Sequence, residues 1–213
     1  MNVLNHFKVA PDHEINYAYW LSLPEDYAAT DRKYPLILFL HGAGERGSDP
    51  EKVKIWGVPT MIERGEKIDA IVVSPQCPDG MIWDTQVYAL KALLDHIIKT
   101  YRVDTGKVCC TGLSMGGFGT WMMGITFPDF FYKLAPVCGG GIAWQAGQLK
   151  NIPIRAYHGA VDTVVNPDRS REMVDAVNRA GGHAELILYE GVGHDSWRNA
   201  YDRDGLVDWL LAD

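Results

Sequence analysis

The stretch KVCCT at residues 107–111 is β-rich, GLSMGG at 112–117 is a glycine-flanked turn, and FGTWMMGITF at 118–127 reads as a helix. This is G-x-S-x-G in a strand-to-turn-to-helix setting. Its chemistry needs that setting, because a nucleophilic hydroxyl has to be raised on a sharp, strained turn where flanking side chains would collide. Ser114 is the candidate nucleophile. The competing reading is a glycine-rich turn whose serine only caps the helix. A serine hydroxyl attacks poorly without a general base, and the base needs a carboxylate to orient it. After a nucleophile placed in this way, acid and then base are expected later in the chain, each beyond its own strand. NIPIRAYHGAVDTVV places Asp162 just past the strand-end His158, and AELILYEGVGHDSW places His194 in the loop after Tyr189.

The other candidates fit these roles less well. His6 and His13 precede the expected sheet, His96 falls within a helix and His183 precedes a strand. His41 and His158 end strands earlier than the base position, so packing or solvation is the reading for each. Asp168 follows Pro167 and reads as a helix cap, and Asp195 adjoins His194 too closely to orient it easily.

Acyl chemistry also needs N–H donors for the oxyanion of the tetrahedral intermediate, each worth ~2.7–4 kcal/mol. The Met115 amide, next to the nucleophile, is one. LILFLHGAGERG supplies the other, with Ala43 the first choice and Gly44 the second. Gly42, Gly44 and Gly47 in the same loop also spell G-x-G-x-x-G, a dinucleotide fingerprint. SDPEK interrupts the helix that such a site requires, and the next strand, AIVVS, ends without an acid, so NAD binding is a weak reading.

Strands are expected at Tyr17–Leu23, Leu36–Leu40, Ala70–Ser74, Val108–Thr111, Lys133–Val137, Ile154–His158 and Ala184–Tyr189. LILFL and AIVVS are apolar throughout, as in parallel strands covered on both faces. Helical spacing marks Val87, Leu90, Leu94, Ile97 and Ile98, with Asp84 or Thr85 as N-cap. Further helices are expected over Met115–Phe127, Asp168–Ala180 and Trp197–Leu211. The alternation gives a doubly wound α/β sheet with ligands outside the carboxyl ends of its strands. The 213 residues, 47% hydrophobic and 22% charged, fit one domain over residues 1–213. A net charge of −7 is the wrong sign for nucleic acid. No apolar run reaches the ~18 residues of a membrane span, and the opening MNVLNHFKVAPDHE lacks the pattern of a signal peptide. A soluble chain in the cytoplasm is expected, a trimmed secreted form being the alternative. Cys77, Cys109, Cys110 and Cys138 form no metal-binding spacing and read as buried thiols, with a Cys77–Cys138 bridge left open.

With these residues assembled, the sequence resembles the α/β-hydrolase superfamily. The resemblance is greatest to its lidless serine esterases: dienelactone-hydrolase-like enzymes, phospholipase/carboxylesterases, feruloyl and acetyl-xylan esterase-like proteins and so-called predicted peptidases. The matching blocks are LFLHGAGERGSD, VVSPQCP, GLSMGGFGTW, APVCGGG, HGAVDTVV and YEGVGHDSW. The resemblance implies a Ser114, Asp162, His194 triad, hydrolysis of a small-molecule carboxylic ester, and no cofactor or metal. A serine peptidase or thioesterase is the alternative. Lids in the superfamily commonly follow the strand after the nucleophile helix, yet only CGGGIAWQAGQLKN lies between Val137 and Ile152, so an open site for short-acyl, phenolic or carbohydrate-linked esters is expected. Trp83, Trp144 and Trp197 are candidates for a platform under a sugar or phenolic ring, packing being the equal alternative. Glu45 and Arg46, beside the oxyanion loop, either contact substrate or pair structurally with each other's neighbours, the latter favoured.

Overall fold

The computed structural model describes residues 2–9 and 15–213. The apolar run at residues 36–40 shows how the architecture arises. It lies in β3 (Tyr34–Leu40), beside β4 (Ile71–Pro75) and β5 (Val103–Leu113), and successive side chains of a strand point to opposite faces. Leu36, Leu38 and Leu40 enter one buried cluster, while Ile37 and Phe39 enter another on the far side of the sheet. A strand buried on both faces needs helices on both. The first cluster is closed by α2 (Val87–Thr100), α3 (Met115–Thr126) and α4 (Asp168–Arg179). The second is closed by α1 (Gly57–Glu63), α5 (Trp197–Asp202) and α6 (Leu206–Leu211).

β6 (Lys133–Val137), β7 (Ile154–Gly159) and β8 (Ala184–Tyr189) continue the sheet, and β1 (Asn2–Val9) and β2 (Ile15–Ser22) complete it. The order is β1-β2-β4-β3-β5-β6-β7-β8. β4 through β8 run parallel with β3, whereas β1 pairs antiparallel with β2, and β2 antiparallel with β4. The carboxyl ends of β3, β5, β7 and β8 therefore open on one edge of the sheet, where the candidate residues sit.

Several boundaries differ from the sequence expectation. β1 was not anticipated and contains His6, which thus lies in the sheet and not ahead of it; His13 falls outside the described residues. The N-cap of α2 is Gln86, because Trp83–Thr85 form a 3-10 turn around the buried Trp83 ring. Asp168 is the first residue of α4, not its cap; its carboxylate accepts from Arg171. The expected helix over Trp197–Leu211 is two helices. Arg203 and Asp204 both donate to the Asn199 carbonyl, and Gly205 at φ 60° turns the chain into α6. All four cysteines are free and buried, so no Cys77–Cys138 bridge exists. Between β6 and β7, residues 138–153 hold one 3-10 helix, Ala143–Leu149.

Candidate active site

Ser114 sits between the end of β5 and the start of α3 with φ 53° and ψ −116°. This conformation is unfavourable for any residue with a Cβ, at a cost on the order of 1–3 kcal/mol. The surroundings enforce it. The Ser114 N–H donates to the Val137 carbonyl at 2.9 Å, and Phe118 N–H closes the first helical turn on the Ser114 carbonyl at 3.1 Å. Gly116 is required because a Cβ there would lie 1.8 Å from the Leu40 carbonyl oxygen: the start of α3 is wedged against the end of β3. Held in this way, the Ser114 hydroxyl donates to His194 Nε2 at 2.9 Å.

His194 follows β8, and its Nδ1–H donates to Asp162 Oδ2 at 2.7 Å. Asp162 follows β7. The two loops are joined, since Val161 N–H donates to the Val192 carbonyl at 3.1 Å and Ala160 N–H to the Tyr189 carbonyl at 2.9 Å. Asp162 Oδ1 accepts from the Val164 and Val165 amides at 2.8 and 3.0 Å. Burial opposes ionisation of this carboxyl, but the bond from His194 and the two amides outweigh it and hold the group below the usual carboxylate range. An ionised carboxylate, an imidazole fixed with its proton on Nδ1 and a hydroxyl on Nε2 form a proton relay out of Ser114. Ser114, Asp162 and His194 are thus brought together; Asp195 instead pairs with Arg198 on the surface.

The loop after β3 supplies the other side of the site. Ala43 opens a 3-10 turn, Ala43–Glu45, and Met115 opens α3, so both amides lie at helical N-termini. First-turn N–H groups have no partner within their own helix. Neither amide has a hydrogen-bond partner among the described residues. The loop is braced from below. His41 donates from Nδ1 to the Gly42 carbonyl at 2.6 Å and accepts at Nε2 from the Cys77 N–H at 2.9 Å. Its ring is buried and its pKa is drawn down to about 4, with burial the main cause. Gln76 donates to the Glu45 carbonyl at 2.9 Å, and Arg46 to the Ala43 carbonyl at 3.0 Å. Gly44, the second choice for the oxyanion donor, is inside this turn. Glu45 is buried, which pushes its carboxyl above the usual range, and its Oε2 has no partner among the described residues.

Two of the three tryptophans are not where an open platform would need them. Trp83 is completely buried, donates from Nε1 to the His41 carbonyl at 2.9 Å and packs edge-on to the His41 ring; it braces the oxyanion loop. Trp144 is 83% exposed but lines a hollow with Ile125, Thr126 and Pro128 at the carboxyl end of α3, a helix length away from Ser114. Trp197 does adjoin the site, its ring edge-on to His194 with centroids 5.4 Å apart. It is joined by Trp56, whose ring lies 6.0 Å from it and beneath the Arg198 guanidinium. Trp56 was not singled out from the sequence, because nothing near residue 56 carries a motif. A groove of about 500 Å³, lined by Leu23, Tyr27, Ile62 and Ile68 among others, lies at the opposite, amino edge of the parallel strands and has no part in this chemistry. Among the described residues no cluster of three or more His, Cys, Asp or Glu is arranged to hold a metal ion, and no helix is long and apolar enough to cross a membrane.

No family model matches the chain. A thermostable esterase of known crystal structure superposes with a TM-score of 0.84 at 31% identity, over 97% of this chain and 62% of that one. This is an α/β-hydrolase fold. Two curated relatives are similar to the chain in part of their sequence. A bifunctional acetylxylan esterase/xylanase of Neocallimastix patriciarum is 28% identical over 137 residues, 62% of this chain and 20% of that protein. Feruloyl esterase D of Neurospora crassa is 25% identical over 179 residues, 77% of this chain and 59% of that protein. The chain thus spans about a fifth and three fifths of these relatives' lengths. Within the α/β-hydrolase fold, the loops after β3, β5, β7 and β8 carry Ser114, Asp162, His194 and the Ala43 and Met115 amides.

Proposed function

We propose that the chain is a serine esterase that cleaves small carboxylic esters through an acyl-enzyme on Ser114. The observation that carries this reading is the hydrogen-bonded series Ser114 Oγ, His194 Nε2, His194 Nδ1, Asp162 Oδ2, at 2.9 and 2.7 Å. In the proposed reaction His194 takes the hydroxyl proton as Ser114 Oγ attacks the ester carbonyl, and the Asp162 carboxylate stabilises the imidazolium. The Ala43 and Met115 amides accept the developing oxyanion as hydrogen-bond donors. His194 returns the proton to the departing alcohol. Water, deprotonated by His194, then attacks the acyl carbonyl, and His194 returns that proton to Ser114 Oγ as the acid leaves.

The preferred substrates in this reading are short-acyl, phenolic or carbohydrate-linked esters. The short segment between β6 and β7 supports access without a covering domain. The Trp56–Trp197 pair beside His194 supports an aromatic or sugar ring on the substrate, since indole faces stack on such rings. The named activities of the acetylxylan and feruloyl esterase relatives point the same way. A panel of p-nitrophenyl acyl esters, feruloyl esters and acetylated sugars tests this, with Ser114→Ala as control. Turnover that falls as the acyl chain lengthens, and vanishes in the variant, is expected; a preference for long-chain emulsions contradicts it.

A further inference from the structure

His158, the penultimate residue of β7, has its side chain fully buried, and the reaction outlined above makes no use of it. Its Nε2 lies 3.2 Å from Asp162 Oδ2, the same oxygen that receives His194, and 2.9 Å from the Val165 carbonyl. Its Nδ1 lies 2.8 Å from Ser170 Oγ on α4, which in turn lies 3.0 Å from the Gly139 carbonyl beyond β6. Both neighbours of Nε2 are acceptors only, so Nε2 carries a proton. The single Ser170 hydroxyl proton faces two acceptors, Nδ1 and the Gly139 carbonyl; when it goes to Nδ1 the ring is neutral with its own proton on Nε2.

The geometry points to His158 as a positioning residue: a neutral Nε2–H donor that, with the Val164 and Val165 amides, locks the Asp162 carboxylate in register with His194. Two imidazoles thus share one carboxylate oxygen in different roles. His194 is partly exposed, reaches Ser114 and has to accept a charge in each turnover; His158 is buried away from Ser114 and has only to stay uncharged. Burial serves that end by holding the His158 ring below the usual imidazole range. The other titratable groups facing the pair are His194 from the loop after β8 and the Cys138 thiol beyond β6, pushed up to about 12 by burial. Loss of the donor frees one Asp162 oxygen to rotate about the two amides that hold the other. A displacement near 1 Å in a catalytic array costs ~10²-fold in rate.

The kinetic part of the test rests on the proposed ester hydrolysis. A glutamine amide nitrogen falls where Nε2 lies and an asparagine amide nitrogen where Nδ1 lies, so the two variants separate the two contacts. With p-nitrophenyl acetate, His158→Gln is expected to keep kcat within ~5-fold of the parent, and His158→Asn to lower it on the order of 10²-fold with KM little changed. The deshielded proton of the His194–Asp162 hydrogen bond, followed by proton NMR, is expected to persist in the first variant and to broaden or vanish in the second. Equal behaviour of the two variants overturns the proposal. If the parent does not turn over the ester, the ester reading fails, and the NMR comparison still decides this inference. Should neither variant fold, nitrogen NMR of the unaltered protein decides it: a neutral Nε2–H tautomer of His158 at pH 7 is expected, and an Nδ1–H tautomer overturns it.

Discussion

The two halves of the site rest on two buried imidazoles at the ends of two parallel strands, and they use them in opposite ways. His41, at the end of β3, donates from Nδ1 and accepts at Nε2; both partners are backbone groups of the loops that frame the oxyanion side. His158, at the end of β7, donates from Nε2, and its partners include the carboxylate of the acid–base side. The first fixes a peptide loop, so protonation at Nε2 would break a bond to the Cys77 amide. The second fixes a charged side chain, so what matters is that the donor remains. The same residue type at the same place in the fold is suited to hold either amides or a carboxylate, according to which nitrogen carries the proton.

The largest expected effect breaks the acid side. Asp162→Asn is expected to lower kcat on the order of 10⁴-fold by allowing the wrong His194 tautomer, with the thermal midpoint nearly unchanged. Steady-state kinetics beside a melting curve measure both, and a loss of less than tenfold would remove Asp162 from the scheme. His41→Leu breaks the other side. It removes the acceptor for the Cys77 amide, and a loss of ~10²–10³-fold in kcat is expected as the Ala43 amide loses its frame. His41→Gln, whose carbonyl oxygen replaces Nε2, is expected to recover most of it.

Acid stability sharpens the contrast. The His41 ring titrates near 6.5 when unfolded and at about 4 when folded, so below pH 6.5 the unfolded chain binds a proton that the folded chain refuses. Stability is present above 6.5 and is lost as pH falls toward 4, by on the order of 3 kcal/mol from this residue. His158 adds a loss of the same sign. Glu45, whose carboxyl is raised by burial, opposes both, because its protonation above the ordinary carboxylate range favours the folded state. Urea unfolding between pH 7 and 4.5 is expected to show a fall that is clearly smaller in His41→Gln; equal slopes in the two proteins would contradict the assignment. The smallest effect concerns the aromatic pair. Trp197→Ala is expected to cost ~2–10-fold in kcat/KM on feruloyl esters and less on acetate esters, in line with an aromatic contact of ~0.5–1.5 kcal/mol. Equal losses on both would assign Trp197 to holding His194 alone.

Much of this was legible in the sequence for physical reasons. Ser114 stands out because its turn demands glycines at fixed offsets, and Asp162 and His194 because strand-end loops are where a parallel sheet presents side chains. The apolar runs at 36–40 and 70–74 marked the buried strands. The antiparallel β1 was not legible: an edge strand need not show a strong apolar pattern, and NHFKV alternates weakly. Platform and packing stay equal readings for Trp83 and Trp144 because a loop position says nothing of which way an indole points; Trp83 turns into the core to brace His41. The sequence leaves His158 as a packing or solvated imidazole because its partners, Asp162 and Ser170, come together only when β7 and α4 pack, which spacing along the chain does not show.

One serine, set in a strained turn and joined through His194 to Asp162, is the proposed nucleophile of this chain. Exposure to a fluorophosphonate followed by intact-mass and peptide mass spectrometry tests it most directly. A single covalent adduct on the peptide containing Ser114, absent from Ser114→Ala and strongly slowed in Asp162→Asn, is the expected result. A protein that stays unlabelled under conditions that label a known serine hydrolase, or that is labelled elsewhere, would contradict it.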